Sequence, residues 1–150
     1  RDLSDAEKVI AINVLGPIRL TDALIDHLKA QDDAVLINVT SGLAYVPMPK
    51  AATYSATKTA IHSYTLSLRK LMEGQVEVIE LVPPGVQTEL TPGQSTREGY
   101  MPLDEFIEET LALFAQNPTP EEILVERVKG FRFAERDGTV KENLDMLAKR

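Results

Sequence analysis

The sequence predicts an α/β fold built on a parallel sheet, and three observations carry that expectation. Residues 34–40 (AVLINVT) form a continuous apolar, β-branched run, the pattern of a strand buried on both faces. Residues 76–82 (VEVIELV) form a second strand, stopped abruptly by Pro83-Pro84-Gly85. Between them, from about 51 to 72, Ile61, Tyr64, Thr65, Leu68 and Leu71/Met72 recur at helical spacing. Strand, crossover helix and strand make a βαβ unit, whose strands pair in parallel through a right-handed connection.

The flanking elements follow in order. Ser4-Asp5-Ala6-Glu7 has the form of a capping box and opens a long helix that runs through Ile12, Leu20 and Leu28. Apolar residues lie nearly all round this helix, so it expects cover on more than one side. Gln31-Asp32-Asp33 turns the chain into the first strand, and residues 42–50, with Pro47 and Pro49, form a loop. Residues 88–103 lack periodicity, at a length typical of a functional loop or lid. Residues 104–116 read as an amphipathic helix with Phe106, Ile107, Leu111 and Phe114 facing inward. Thr119-Pro120-Glu121-Glu122 repeats the capping-box form and predicts a helix to about Gly130. Glu121, Glu122 and Glu126 are then explained by the dipole of that helix start. A short third strand is expected near Phe131-Arg132-Phe133, a turn at Asp137-Gly138, and a short exposed helix over 141–149.

Composition excludes several classes of function. The charge sum, 16 − 23 = −7, makes phosphate-backbone binding a poor fit, so no nucleic-acid partner is expected. No stretch approaches the ~20 apolar residues of a membrane helix, so no membrane association is expected. The sequence holds no cysteine, which excludes disulfides, thiolate metal sites and cysteine nucleophiles, and fits a cytoplasmic location. His27 and His62 are too few and too far apart for a metal site. They read as polar-face or interface residues, and no metal is expected.

Tyr54 and Lys58 lie four apart on the crossover helix, so their side chains share one face. An ammonium beside a phenol favours the phenolate, which is what a tyrosine needs for acid or base work near neutral pH. Ser41 stands at the carboxyl end of the first strand, where open α/β sheets bind ligands. Pro17 falls inside the first helix and has no N–H to give to the carbonyl of Asn13. The helix is therefore expected to kink near Gly16-Pro17 and leave that carbonyl to a partner such as a water.

Taken in this order, Asn13-Val14-x-Gly16, the strand ending in Ser41, Tyr54-x-x-x-Lys58 and the segment from Pro83 to Thr88 resemble the short-chain dehydrogenase/reductases. The stretches AATYSATKTAIHSYTLSLR and VPPGVQTELTPGQ are similar to a bacterial oxidoreductase subgroup of undefined substrate. The resemblance covers residues 1–116 and implies a partial Rossmann-like, doubly wound parallel sheet, second half only, with extra C-terminal helices. It also implies hydride transfer between NAD or NADP and a small carbonyl/alcohol substrate. Tyr54 would be the acid/base, Ser41 would polarise the carbonyl oxygen, and Lys58 would lower the Tyr54 pKa and hold the nicotinamide ribose. Asn13 would carry a water on its main-chain carbonyl. Tyr54, Lys58, Pro83, Val86 and Thr88 would bind the cofactor, with Thr88 near the carboxamide. The sequence departs from the family pattern at Pro84, where a glycine is expected; its glycine comes one residue later.

The first half of that fold carries a strand and a glycine-rich turn that cradles the pyrophosphate, and the eight glycines here include no Gly-x-Gly-x-x-Gly. The expectation is a single partial domain, cut at Arg1: a βαβ core over 1–90, a substrate loop over 91–103 and a helical extension over 104–150. A homo-oligomer is expected through helices 5–30 and 51–73, which in the family form a four-helix bundle. The apolar loop residues Leu43, Val46, Pro47 and Met48 point to a non-ionic substrate. Two readings follow: the catalytic half of an NAD(P)-dependent oxidoreductase, inactive by itself, or a cofactor-free fragment serving only as a dimerising helical scaffold.

Overall fold

The two apolar runs become strands β1 (Val35–Val39) and β2 (Glu77–Leu81) of the computed structural model, which describes residues 2–149. Arg1, where the expected cut falls, lies outside the described residues. The strands are parallel, in register from Val35 opposite Glu77 to Val39 opposite Leu81. Their crossover is the helix α3 (Ala52–Leu71). Leu68, Met72, Val76 and Val78 form the core beneath it, with Ile25, Leu36 and Tyr64 packed around. Each such side chain contributes about 1.5–3 kcal/mol when fully buried, enough to fix α3 on the sheet.

The first helical region consists of α1 (Ser4–Ile10), a wide π-type turn (Ala11–Leu15) and α2 (Gly16–Lys29). The disruption expected at Pro17 is therefore a widened turn just before it, in which the Gly16 N–H reaches back to the Ala11 carbonyl. The capping box is not formed. Leu3 flanks the helix, and the Asp2 carboxylate accepts the Ser4 N–H at 2.9 Å, so the acceptor comes from two residues upstream.

The third strand differs from expectation. It is β3 (Glu122–Ile123), parallel to β2, giving the order β1-β2-β3. No helix starts at Pro120, and Phe131 and Arg132 belong to the helix α5 (Glu126–Arg132). Burial decides this: Ile123 and Val125 are fully enclosed, which outweighs the ~1 kcal/mol that a side-chain cap offers.

In α4 (Leu103–Phe114) the inward stripe is Phe106, Thr110 and Leu113, whereas Ile107 and Leu111 are exposed. The terminal helix α6 (Val140–Ala148) is docked rather than free, with Leu147 packed on Val46 and Ala134. On β1, Leu36 and Asn38 face α3, but Val35, Ile37 and Val39 on the other face are 41%, 45% and 50% exposed. Among the described residues helical cover reaches that strand on one face only. No helix is long and apolar enough to cross a membrane.

Candidate active site

The β1–β2 ladder delivers Ser41 to the sheet's carboxyl edge. The Thr40 N–H donates to Leu81 O and the Gly42 N–H to Pro83 O, both at 2.9 Å, so both chain neighbours of Ser41 are tied to β2 and its extension. Ser41 is extended, and its Oγ accepts the Leu43 N–H at 3.1 Å to cap a short 3-10 turn over Gly42–Ala44. Gly42 is required there: a Cβ would stand 2.9 Å from a Val128 methyl carbon and 3.2 Å from the Phe131 ring.

Tyr54 and Lys58 stand one turn apart on α3, as their spacing predicts. The Lys58 Nζ lies 5.6 Å from the Tyr54 ring centroid and donates to Val39 O at 3.0 Å. Burial pushes the Tyr54 phenol above its ordinary 10.0; the Ser41 hydroxyl opposes that shift and the nearby Tyr100 adds to it. The expected lowering by Lys58 is thus reversed, because the loss of water around the phenol outweighs its favourable neighbours. Burial also lowers Lys58. Asn13 reaches the same helix by its side chain, Nδ2 donating to Thr57 Oγ1 at 3.2 Å.

Ser41 and Tyr54 open on one pocket of about 310 Å³, walled by Leu43, Met48, Pro84, Gly85, Tyr100, Phe131 and Leu147, with Thr91, Gln94 and Arg97 at its loop side. Of the four apolar loop residues, Leu43 and Met48 line it; Val46 is buried in the core, and Pro47 lines a separate groove with Ala52 and Ala56. The loop is not structureless. Gln94 Nε2 donates to Val86 O at 2.9 Å and to Thr88 Oγ1 at 3.0 Å, while Val86 bridges Met101. Gly85 explains the displaced glycine: a Cβ there would meet the Tyr100 ring at 3.1 Å. Pro84 and Gly85 line the pocket and Pro83, Val86 and Thr88 do not, although the Thr88 hydroxyl is bonded to the lining residue Gln94. The structure thus joins Ser41, Tyr54 and the 84–85 backbone, and sets Lys58 and Asn13 on the helix side.

Sequence reasoning missed a cluster beneath the site. Glu80 is 0% exposed, and its Oε1 accepts the hydroxyls of Thr40 at 2.6 Å and Tyr45 at 3.0 Å. His62 Nδ1 lies 2.8 Å from Oε2, so His62 is not a plain polar-face residue. Burial by itself raises the Glu80 carboxyl, but the bonds from His62 and Thr40, the His62 charge and Tyr45 together hold it below its ordinary range. Tyr45 is pushed far up by burial and by the charges of Glu80 and Glu122, so it remains a donor. Glu122 is not a helix-start residue: it holds Arg132 through two bonds of 2.7 and 2.8 Å. The available signal was an ionisable side chain inside a strand expected to be buried.

A family model described as short chain dehydrogenase matches residues 1–99. The uncharacterized oxidoreductase DltE of Bacillus subtilis (strain 168) is 38% identical over 130 residues, 85% of this chain and 52% of DltE. The NADPH-dependent 1-acyldihydroxyacetone phosphate reductase of Schizosaccharomyces pombe is 31% identical over 127 residues, 83% of this chain and 43% of that protein. The chain spans about half the length of the curated relatives it matches. A short chain dehydrogenase of Burkholderia cenocepacia J2315 in complex with NADP aligns at a TM-score of 0.80 and 22% identity, over 96% of this chain and 62% of that one. One from Sphingobium yanoikuyae in complex with NADPH gives 0.75 and 19%, over 97% and 58%. The parallel sheet and its helices are therefore part of a Rossmann-like fold. By the family model and the Bacillus relative, this chain belongs to the short-chain dehydrogenase family.

Proposed function

We propose that this chain carries the catalytic half of an NAD(P)-dependent oxidoreductase acting on a carbonyl/alcohol pair, with Tyr54 as its acid/base. The observation that carries the reading is the shared pocket of Ser41 and Tyr54 at the carboxyl edge of a parallel sheet. At about 310 Å³ it lies at the small end of ligand sites. Its hydroxyls and the 84–85 backbone fit the nicotinamide end of a dinucleotide, and among the described residues no glycine-rich turn fits the pyrophosphate. Pro84, Gly85 and Thr91 would hold the nicotinamide end, with Lys58 and Thr88 at its ribose and carboxamide. Bound there, NAD(P) supplies or accepts the hydride.

The chain's own residues do the rest. The Tyr54 phenol, which burial pushes further above its ordinary 10.0, is the acid in the reducing direction and gives its proton to the carbonyl oxygen. The Ser41 hydroxyl donates to that oxygen and draws charge onto it as the bond order falls. Lys58, fixed on Val39 O, sets a positive charge beside the phenolate left behind. Leu43, Met48, Phe131 and Leu147 exclude water and suit a substrate with an apolar body.

The test is reduction of a panel of aliphatic and aromatic ketones by NADH or NADPH, using the whole protein and its Tyr54→Phe variant. Loss of the acid is expected to lower kcat by about 10²–10⁴-fold. A variant as active as the wild type would remove Tyr54 from the role.

A further inference from the structure

We propose that Glu80 is a positioning residue: its carboxylate locks the Ser41 segment to the helix bearing Tyr54 and Lys58, while touching none of the three. A buried carboxylate is poor glue. Its desolvation costs several kcal/mol, and a well-packed apolar side chain often stabilises a core as well or better. The placement of its partners supplies a reason to keep it. Glu80 lies in the central strand, and its side-chain donors come from three separate segments. Thr40 is the residue before Ser41, Tyr45 ends the turn after it, and His62 lies two helical turns beyond Tyr54.

The Ser41 hydroxyl is aimed by its bond to the Leu43 N–H, so its direction follows the 42–45 turn. Thr40 and Tyr45 clamp that turn at both ends onto Glu80 Oε1, and His62 fixes α3 to Oε2. The carboxylate thereby joins two direct ties, the Thr59 hydroxyl donating to Ala44 O at 2.9 Å and the Tyr45 hydroxyl 3.1 Å from His62 Nδ1, in setting the distance between the Ser41 turn and the catalytic helix. A misplacement of about 1 Å at such a site can cost about 10²-fold in rate. Arg132 stacks on the Tyr45 ring at 4.8 Å while its charge is held by Glu122, which leaves Glu80 to the three donors.

The test compares Glu80→Leu, Glu80→Gln and Thr40→Val in the whole protein by amide hydrogen exchange and by kinetics. Glu80→Leu and Thr40→Val are expected to speed exchange at Gly42 and Leu43 about tenfold, the loss of roughly one hydrogen bond's stability, while the interior amides of α3 hold. With turnover established, kcat is expected to fall about tenfold or more with KM for cofactor within about twofold. Glu80→Gln can still accept from Thr40 and Tyr45 and donate to a neutral His62 Nδ1, so it is expected to restore both readouts to within about threefold. Thr40→Val decides the matter if Glu80→Leu does not fold. Unchanged exchange at Gly42 and Leu43, or a uniform rise across all amides, overturns the proposal. The kinetic arm rests on the oxidoreductase reading, and absence of wild-type turnover would remove that reading while the exchange arm still decides the role of Glu80.

Discussion

Replacing Leu147 by alanine tests how the C-terminal helix is held. Leu147 is 2% exposed and packs on Val46 and Ala134, with Val140 and Leu144 around it. The change removes three buried carbons, worth about 0.8 kcal/mol each in transfer free energy. Leaving a cavity against a core that relaxes only in part brings the expected loss to about 3 kcal/mol, within the range of about 2–5 for such truncations. With a urea slope of about 2 kcal/mol/M, the unfolding midpoint falls by about 1.5 M. Its neighbour is the control: Met146 faces outward, and Met146→Ala is expected to move stability by less than about 0.5 kcal/mol. The assay is equilibrium urea unfolding of both variants in the whole protein, followed by circular dichroism. Equal, small shifts would mean that α6 lies free on the surface, as the sequence pattern had it.

Other expectations can be checked in parallel. Gly42→Ala drives a Cβ to 2.9 Å from Val128 and 3.2 Å from Phe131, so thermal unfolding should register a loss of about 1–3 kcal/mol; an unchanged melting temperature would show that α5 can yield. Glu80 is held ionised below its ordinary 4.5. As pH falls through that value the unfolded chain takes up a proton before the native one does, so stability is full above it and declines below it; Glu80→Gln should flatten the decline in urea midpoints measured from about pH 6 to about pH 3. The exposed Ile12, Leu20 and Leu24 on the first helices, with Leu66 on α3, offer an apolar face to a second copy. Sedimentation of the whole protein at micromolar concentration is expected to find a dimer, which Leu20→Glu weakens; a wild-type monomer would end that reading.

Much of the scaffold was legible because its signals are local or periodic. The 34–40 and 76–82 runs gave β1 and β2 to within a residue or two, and the helical recurrence of Ile61, Thr65 and Leu68 gave α3 its inward face. Tyr54 and Lys58 met as their spacing of four requires. The misses share a cause. The capping signals at Ser4 and Thr119 are worth about 1 kcal/mol, and they yielded to an Asp2 acceptor in one place and to the burial of Ile123 in the other. Ile107 and Leu111 were read inward because both are apolar, but the sheet receives Phe106, Thr110 and Leu113.

What the sequence determined by itself, then, is the parallel βαβ frame, the place of Ser41 at the end of a strand, and the pairing of Tyr54 with Lys58. These depend on residues a few positions apart and on the periods of strand and helix. Only the tertiary structure decided that Glu80 meets Thr40, Tyr45 and His62. It also decided that the 88–103 loop is pinned by Gln94 and that Leu147 closes the pocket wall. The sign of the Tyr54 shift belongs here too: spacing puts a cation near the ring, but how much water surrounds the phenol is set by every segment that folds over it. Desolvation is a property of the whole packing, and no window of sequence contains it.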